Sequence, residues 1–190
     1  MSKKYVIGLD YGTLSGRAVL VDCNDGTVLA SAVKNYEHAV MDRKLPGGEA
    51  LAGADWALQY PQDYLDVLEE VVRKVVGKEG VNKEDIIGIG LDFTSCTMLP
   101  VDADNEPLCM QECFKSEPHA YVKLWKHHGG QPQADRISAL LEKRGEISNI
   151  QFGGKISSEL CSGAQRRSCR SRRFCSVCSC DWPCTGKYAE

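Results

Sequence analysis

Short apolar runs separated by turn signals open the chain. Residues 5–10 form an apolar run that ends in an acidic residue, and residues 17–22 and 27–33 form two more runs of similar length. Residues 11–16 hold two glycines, and Asn24-Asp25-Gly26 favours a tight hairpin because Asp-Gly tolerates positive φ angles. The pattern therefore predicts three strands joined as an antiparallel meander.

The spacing of apolar residues changes to a helical period at Pro61. Apolar residues then recur three and four positions apart, and Gly77 or Gly80 can end the helix. Residues 86–92 follow as a nearly continuous apolar run, which is typical of a buried parallel strand. The predicted order is β-β-β-α-β, a mixed α/β sheet with a helix packed on it. The periodic apolar positions of the helix are Tyr64, Leu65, Leu68, Val71, Val72 and Val75.

Weaker patterns occupy the rest of the chain. Residues 37–60 are rich in Gly, Pro and Asp and show no clear period. Residues 98–102 and 104–108 indicate a strand, a turn and a strand, while residues 119–129 and 133–144 are candidate helices.

Composition and charge exclude several classes of protein. The chain has 190 residues, 43% of them hydrophobic, and a net charge of −3. This is enough apolar material for a core, so disorder of the whole chain is excluded. A small negative charge does not favour nucleic acid or a membrane surface, and no apolar run approaches the length of a membrane span. The first eight residues do not resemble a secretory signal, so we expect a cytoplasmic protein.

The last thirty residues differ in chemistry from the rest. Residues 161–190 carry six of the ten cysteines and have a net charge of +4, while the preceding residues have a net charge of −7. Two segments of such different composition are not expected to share one core. We therefore expect a domain portion over residues 1–159 and an atypical tail rich in Cys and Arg over residues 160–190.

Candidate chemistry concentrates in the turn between the first two strands. Asp10 ends a buried strand, Gly12 lets backbone N–H groups approach a ligand, and Thr13, Ser15 and Arg17 add two hydroxyls and a guanidinium. Such donors suit phosphate oxygens, and a carboxylate suits Mg²⁺ held through water. The alternative is a plain hairpin turn, but the β-β-β-α-β context favours phosphate binding.

These residues resemble a known family. The run Asp10-Tyr11-Gly12-Thr13-Leu14-Ser15-Gly16-Arg17 is similar to the first phosphate loop of the FGGY carbohydrate kinases, which share the ribonuclease H-like, actin-like ATPase fold. Four further segments resemble the ribulokinase branch of that family, in the order expected. They are residues 55–64, 90–100, 118–128 and 153–159.

The resemblance implies a specific reaction and specific residues. Family members transfer the γ-phosphate of ATP to a hydroxyl of an open-chain sugar, and ribulokinases use L-ribulose. Thr13, Ser15 and Arg17 would contact the ATP phosphates, with Asp10 near Mg²⁺. The implied partners are ATP and a ketopentose, with no nucleic acid or membrane, and the full-length protein is expected to be a homo-oligomer.

The resemblance also implies a sugar pocket lined by Ser95, Cys96 and Trp125. A Trp face offers an apolar platform for sugar C–H groups and an N–H donor. Ser95 and Cys96 follow a strand end, where ligands gather in open α/β sheets. From the residues alone, a core or interface residue on an amphipathic helix is the favoured interpretation of Trp125, and a strand-end turn is the alternative for Ser95 and Cys96.

The resemblance stops after Glu159. The following residues have no periodicity, and we expect a shifted reading frame or a disordered tail. The family's catalytic base and adenosine-binding half would lie beyond residue 190, so we expect a truncated chain that does not turn over alone. Alternatives are another pentulose or polyol kinase of the family, or a non-catalytic phosphate- or zinc-binding fragment. A zinc site would use Cys175, Cys178, Cys180 and Cys184.

Overall fold

A computed structural model describes residues 3–51 and 55–145, together with residues 156 and 158. The predicted boundary after residue 159, the tail and its four candidate zinc ligands lie outside the described residues. The main elements are β1 (Tyr5–Tyr11), β2 (Ser15–Asp22), β3 (Val28–Asn35), β4 (Leu58–Gln59), α1 (Pro61–Val76), β5 (Ile86–Phe93), β6 (Val122–Lys123) and α2 (Gln131–Arg144).

Four strands form a mixed sheet in the order β3-β2-β1-β5. The pairs β1–β2 and β2–β3 are antiparallel, and β1–β5 is parallel. The three antiparallel strands, the helix and the parallel strand confirm the predicted order β-β-β-α-β. Because β1 lies between β2 and β5, its carboxyl end meets both the turn into β2 and the end of β5.

The helix α1 covers one face of this sheet. Its residues Val67, Val71 and Val75 are buried against alternate side chains of β1 and β2. Gly16 allows the close approach, because a Cβ there would stand 2.3 Å from Cγ1 of Val67. The opposite face of β1 and β2 carries Asp10 and Arg17, so these polar residues of the predicted site lie away from α1.

A second core forms around the two-stranded sheet of β4 and β6. Leu58 and Gln59 pair with Lys123 and Val122, and the buried side chains around them come from residues 41–51 and 108–121. The helix predicted over residues 119–129 is therefore wrong. The backbone of this segment bonds to β4 and its flank instead, with the Leu124 N–H donating to the Ala57 carbonyl at 3.0 Å.

Strand β5 is parallel as predicted, but it is not buried. Ile87, Ile89, Leu91 and Phe93 are between 58% and 69% exposed. The side chains of these four residues lie on the same face of the sheet as α1. However, α1 packs over β2 and β3 and does not cover β5.

Two further predictions are only partly met. Residues 98–108 form isolated bridges, Met98 with Lys123 and Val101 with Pro107, rather than two strands. The last predicted helix is present as α2, which begins at Gln131 rather than at residue 133.

Within the described ranges, no helix combines the length and apolar character needed to cross a membrane.

Candidate active site

Asp10 and Arg17 lie side by side on the open face of the sheet. They are register partners across β1 and β2, and Nε of Arg17 stands 3.1 Å from Oδ2 of Asp10. Both side chains remain about half exposed, so the pair is accessible to a ligand. The ion pair with Asp10 uses Nε of Arg17, and the terminal Nη2 of the guanidinium lies over Gly12.

The turn between β1 and β2 (residues 11–15), here called the phosphate turn, carries Gly12, Thr13 and Ser15 as predicted. The Gly12 N–H donates to the Ser15 carbonyl at 2.9 Å, which closes the turn. A Cβ at Gly12 would stand 3.2 Å from that same carbonyl oxygen and 3.7 Å from Nη2 of Arg17. Glycine therefore keeps the turn tight and lets the guanidinium lie against it.

Two side chains outside the phosphate turn donate to its carbonyl groups, and a third orients one of these two; sequence reasoning missed all three. The Tyr36 hydroxyl donates to the Gly12 carbonyl at 3.0 Å, and Nε2 of Gln59 donates to the Thr13 carbonyl at 2.8 Å. The Tyr64 hydroxyl in turn donates to Oε1 of Gln59 at 2.7 Å. The one signal in the sequence was a polar residue, Gln59, directly after buried Leu58 and before the helix start.

Burial keeps these two tyrosines protonated. It raises the pKa of the Tyr64 phenol, as do the nearby Tyr36 and Asp63. It also raises the pKa of Tyr36. Both hydroxyls therefore remain hydrogen-bond donors across the neutral range.

Trp125 reaches the same turn from the second core. Its Nε1 donates to Oγ1 of Thr13 at 3.2 Å, and the side chain is 46% exposed. Trp125 is not on a helix. It follows β6 by two residues, and pairing with β4 places it beside the turn.

Ser95 and Cys96 lie in a turn directly after β5. One hydrogen bond within this turn joins the hydroxyls of Thr94 and Thr97, and Cys96 has a φ of 54°. The Thr94 N–H donates to the Tyr11 carbonyl at 3.3 Å, which ties the turn to the end of β1. Both residues are exposed, and no hydrogen bond between described residues joins their side chains to Trp125 or to the phosphate turn.

The second core contains two buried basic side chains. Lys123 is 4% exposed, its Nζ donates to the His119 carbonyl at 2.8 Å, and burial lowers its pKa to about 8. His127 is fully buried and its Nδ1 accepts the Ala57 N–H at 3.1 Å. Burial, with Lys123 and two other histidines nearby, lowers the pKa of His127 to about 4. The His127 ring therefore serves as a neutral acceptor inside the second core.

The residues on the open face fit a hydrated Mg²⁺ ion. Asp10 and Asp92 are register partners on parallel strands, and both line one shallow pocket with Arg17 and the glycines Gly8 and Gly90. The Asp10 carboxylate uses Oδ2 for Arg17, and its side chain remains 42% exposed. Mg²⁺ usually keeps several waters and takes one or two carboxylates together with substrate phosphates, so an exposed carboxylate beside a phosphate turn suits it.

Comparison with known proteins identifies the family of the chain. The chain matches the N-terminal domain of the FGGY family of carbohydrate kinases over residues 5–144. It is 55% identical over 159 residues to a ribulokinase of Geobacillus thermodenitrificans and 52% identical over 159 residues to a ribulokinase of Halalkalibacterium halodurans, in each case covering 84% of this chain. The chain spans 28% of the length of these relatives.

A solved structure shares the fold. The crystal structure of a ligand-bound xylulose kinase from Lactobacillus acidophilus aligns with a TM-score of 0.54 and 22% identity, over 77% of this chain and 24% of that one. The family match covers most of this chain, and it includes the phosphate turn, the turn after β5 and Trp125. The chain belongs to the FGGY family of carbohydrate kinases.

Proposed function

We propose that this chain supplies the phosphate turn and the sugar platform of an ATP-dependent ribulokinase that phosphorylates L-ribulose. The observation that carries the proposal is the hydrogen bond from Trp125 to Thr13. It places the residue proposed to hold the sugar beside a residue proposed to hold the phosphates. Phosphoryl transfer needs this proximity, because the acceptor hydroxyl must reach the γ-phosphate in line with its leaving group.

The phosphate side of the proposal rests on donors gathered at one turn. Thr13 and Ser15 contribute hydroxyls, Arg17 contributes the terminal nitrogens of its guanidinium, and Gly12 permits close approach of the backbone. Charge-assisted bonds from Arg17 would neutralise developing negative charge on the phosphate oxygens. Asp10 would hold Mg²⁺, which supplies charge neutralisation between the phosphates when bound.

The sugar side rests on Trp125 and the turn after β5. The half-exposed indole presents an apolar face that suits the C–H groups of an open-chain sugar. Ser95 and Cys96 would border that sugar with a hydroxyl and a thiol. We propose that the base that deprotonates the acceptor hydroxyl lies outside this chain, so the role proposed here is binding and orientation. We further propose that the reaction takes place in the cytoplasm.

A hybrid enzyme tests the proposal. Residues 1–159 of this chain would replace the matching segment of the Geobacillus thermodenitrificans ribulokinase. We expect this hybrid kinase to form ADP from ATP and Mg²⁺ only when a sugar is added, with L-ribulose preferred over D-xylulose and glycerol.

The matched controls are the unmodified relative and the hybrid kinase with Trp125→Ala. Removal of the indole should raise the KM for L-ribulose by about tenfold or more, since an aromatic platform and a donor both disappear. A hybrid that prefers D-xylulose or glycerol would contradict the substrate assignment.

A further inference from the structure

Every carbonyl group of the phosphate turn already has a protein donor. Besides the bonds to Gly12 and Thr13 described above, the Tyr11 carbonyl accepts from the Thr94 N–H and the Leu14 carbonyl accepts from the Tyr36 N–H. The Ser15 carbonyl accepts from the Gly12 N–H. No hydrogen bond within the described chain uses the N–H groups of Thr13 or Leu14, so the turn offers donors to an incoming anion.

Gln59 has the most constrained position among the groups that support the turn. It is 2% exposed, and both ends of its amide are occupied. The Thr13 carbonyl accepts only, so the NH₂ group must face it and the amide oxygen must face Tyr64. The Tyr64 hydroxyl is therefore the donor, and the amide cannot rotate without placing two acceptors against each other.

Gln59 also belongs to the element that positions Trp125. Its backbone pairs with Val122 in the two-stranded sheet, and Trp125 follows that strand. The same small sheet therefore reaches Thr13 twice, through Gln59 at the carbonyl oxygen and through Trp125 at the hydroxyl.

We propose that Gln59, oriented by Tyr64, is a positioning residue that holds the phosphate turn with its N–H groups directed toward the phosphates of ATP. The inference rests on the proposed function for the identity of the anion. Gln59 does not contact the phosphates; it acts through the Thr13 carbonyl. Replacing it should therefore change the use of ATP and leave sugar affinity intact.

One measurement follows the turn in the 190-residue chain itself. Amide hydrogen exchange would be recorded for the peptide covering residues 10–17 in Gln59→Leu and in Gln62→Leu. Gln62 is the matched control, because its side-chain amide bonds to Asp66 on the same helix and does not contact the turn. We expect exchange in this peptide to rise by about fivefold or more in Gln59→Leu only, since that variant removes a buried hydrogen bond to the turn.

A second measurement uses the hybrid kinase. Gln59→Leu should raise the KM for ATP about tenfold and leave the KM for L-ribulose within about twofold, because one buried hydrogen bond to the phosphate turn is removed. Tyr64→Phe keeps the ring and its edge-to-face contacts with Tyr11 and Tyr36, so it is a control for effects caused by misfolding. It should raise the KM for ATP about threefold, because the amide keeps its acceptor at Thr13 but no longer has its orienting partner.

The outcomes of these measurements distinguish the positioning role of Gln59 from the proposed function. Unchanged exchange in Gln59→Leu, or an equal rise of both KM values in Gln59→Leu and Tyr64→Phe, would overturn the positioning role. Faster exchange in Gln59→Leu together with a hybrid kinase that phosphorylates no sugar would support the positioning role and reject the proposed function.

Discussion

The indole Nε1 of Trp125 donates a hydrogen bond to Oγ1 of Thr13 at 3.2 Å, although 112 positions separate the two residues in the chain. One of them follows a short strand of the second core, and the other lies in the turn between the first two strands of the main sheet. This hydrogen bond joins the two cores at the point where the proposed sugar and phosphate sites meet. It also means that a change in either residue should affect both substrates.

A double-mutant cycle in the hybrid kinase tests that coupling. Trp125→Phe removes the N–H donor and keeps an aromatic platform, while Thr13→Val removes the hydroxyl at nearly constant volume. We expect each change to lower kcat/KM by about tenfold and the double variant to fall by less than the product, with a coupling of about 0.5–1.5 kcal/mol. Thr13→Ser keeps the hydroxyl and is the matched control. Strictly multiplicative effects would show that the two side chains act independently.

Arg17 and Asp10 give a second prediction for the phosphate turn. Arg17→Ala in the hybrid kinase should weaken the use of ATP by roughly 1.5–3 kcal/mol for each charge-assisted hydrogen bond that it removes. Asp10→Asn should lower kcat further, because it removes the carboxylate proposed for Mg²⁺ and also the partner of Arg17. Steady-state kinetics with ATP varied at saturating L-ribulose measures both. Unchanged kinetics in both variants would reject the assignment of the phosphate turn.

The main sheet could be predicted because its sequence patterns are local. Apolar runs, an Asp-Gly turn and a helix with apolar residues at three- and four-residue spacing each identify their own element. The segment from His119 to Gly129 could not, because its hydrogen bonds go to residues about 65 positions earlier in the chain. The helix predicted there does not form, since pairing with β4 overrides local preference.

The candidate site also divides into a local motif that the sequence predicts and long-range supports that it does not. Asp10, Gly12, Thr13, Ser15 and Arg17 stand within eight residues and present their chemistry as a motif. The supports at Tyr36, Gln59 and Tyr64 come from three separate segments, and each is an ordinary residue in its own segment. Only the folded chain brings Tyr36 to the Gly12 carbonyl, Gln59 to the Thr13 carbonyl and Tyr64 to Gln59.

The buried Lys123 side chain should make the free energy of unfolding depend on pH. Burial lowers its pKa from 10.5 to about 8 in the folded chain, so the folded state loses this proton before the unfolded state does. The cost of burying the charge is present below pH 8 and disappears as the pH rises toward 10.5. The free energy of unfolding of the 190-residue chain should gain roughly 3 kcal/mol from this group over that range.

Urea unfolding at a series of pH values measures this contribution. Burial also raises the pKa of Cys109 to about 11, and this thiol changes the stability at higher pH. The quantity to follow is therefore the free energy of unfolding of the wild-type chain minus that of Lys123→Met at each pH. We expect the difference to vary with pH for Lys123→Met, and Lys126→Met, at an exposed lysine of the same segment, is the matched control. A difference that is constant between pH 8 and 10.5 would mean that Lys123 titrates alike in both states.

The open apolar strand β5 predicts self-association of the chain. Ile89, Leu91 and Phe93 are each more than half exposed on a strand whose outer edge is unpaired in the described sheet. Exposed apolar edges of this kind promote association between chains. Leu91→Lys should shift sedimentation velocity profiles toward monomer, and Leu65→Lys, at an exposed position of α1, should not. Equal profiles for the two variants would place the association elsewhere.

Sugar-dependent ADP formation by the hybrid kinase is the decisive measurement for the role of this chain. With ATP and Mg²⁺ present, we expect L-ribulose to start turnover in the hybrid and Asp10→Asn in the same hybrid to nearly abolish it. A folded hybrid that forms no ADP with L-ribulose, or that is unaffected by Asp10→Asn, would contradict the claim that this chain carries the phosphate and sugar sites of a ribulokinase.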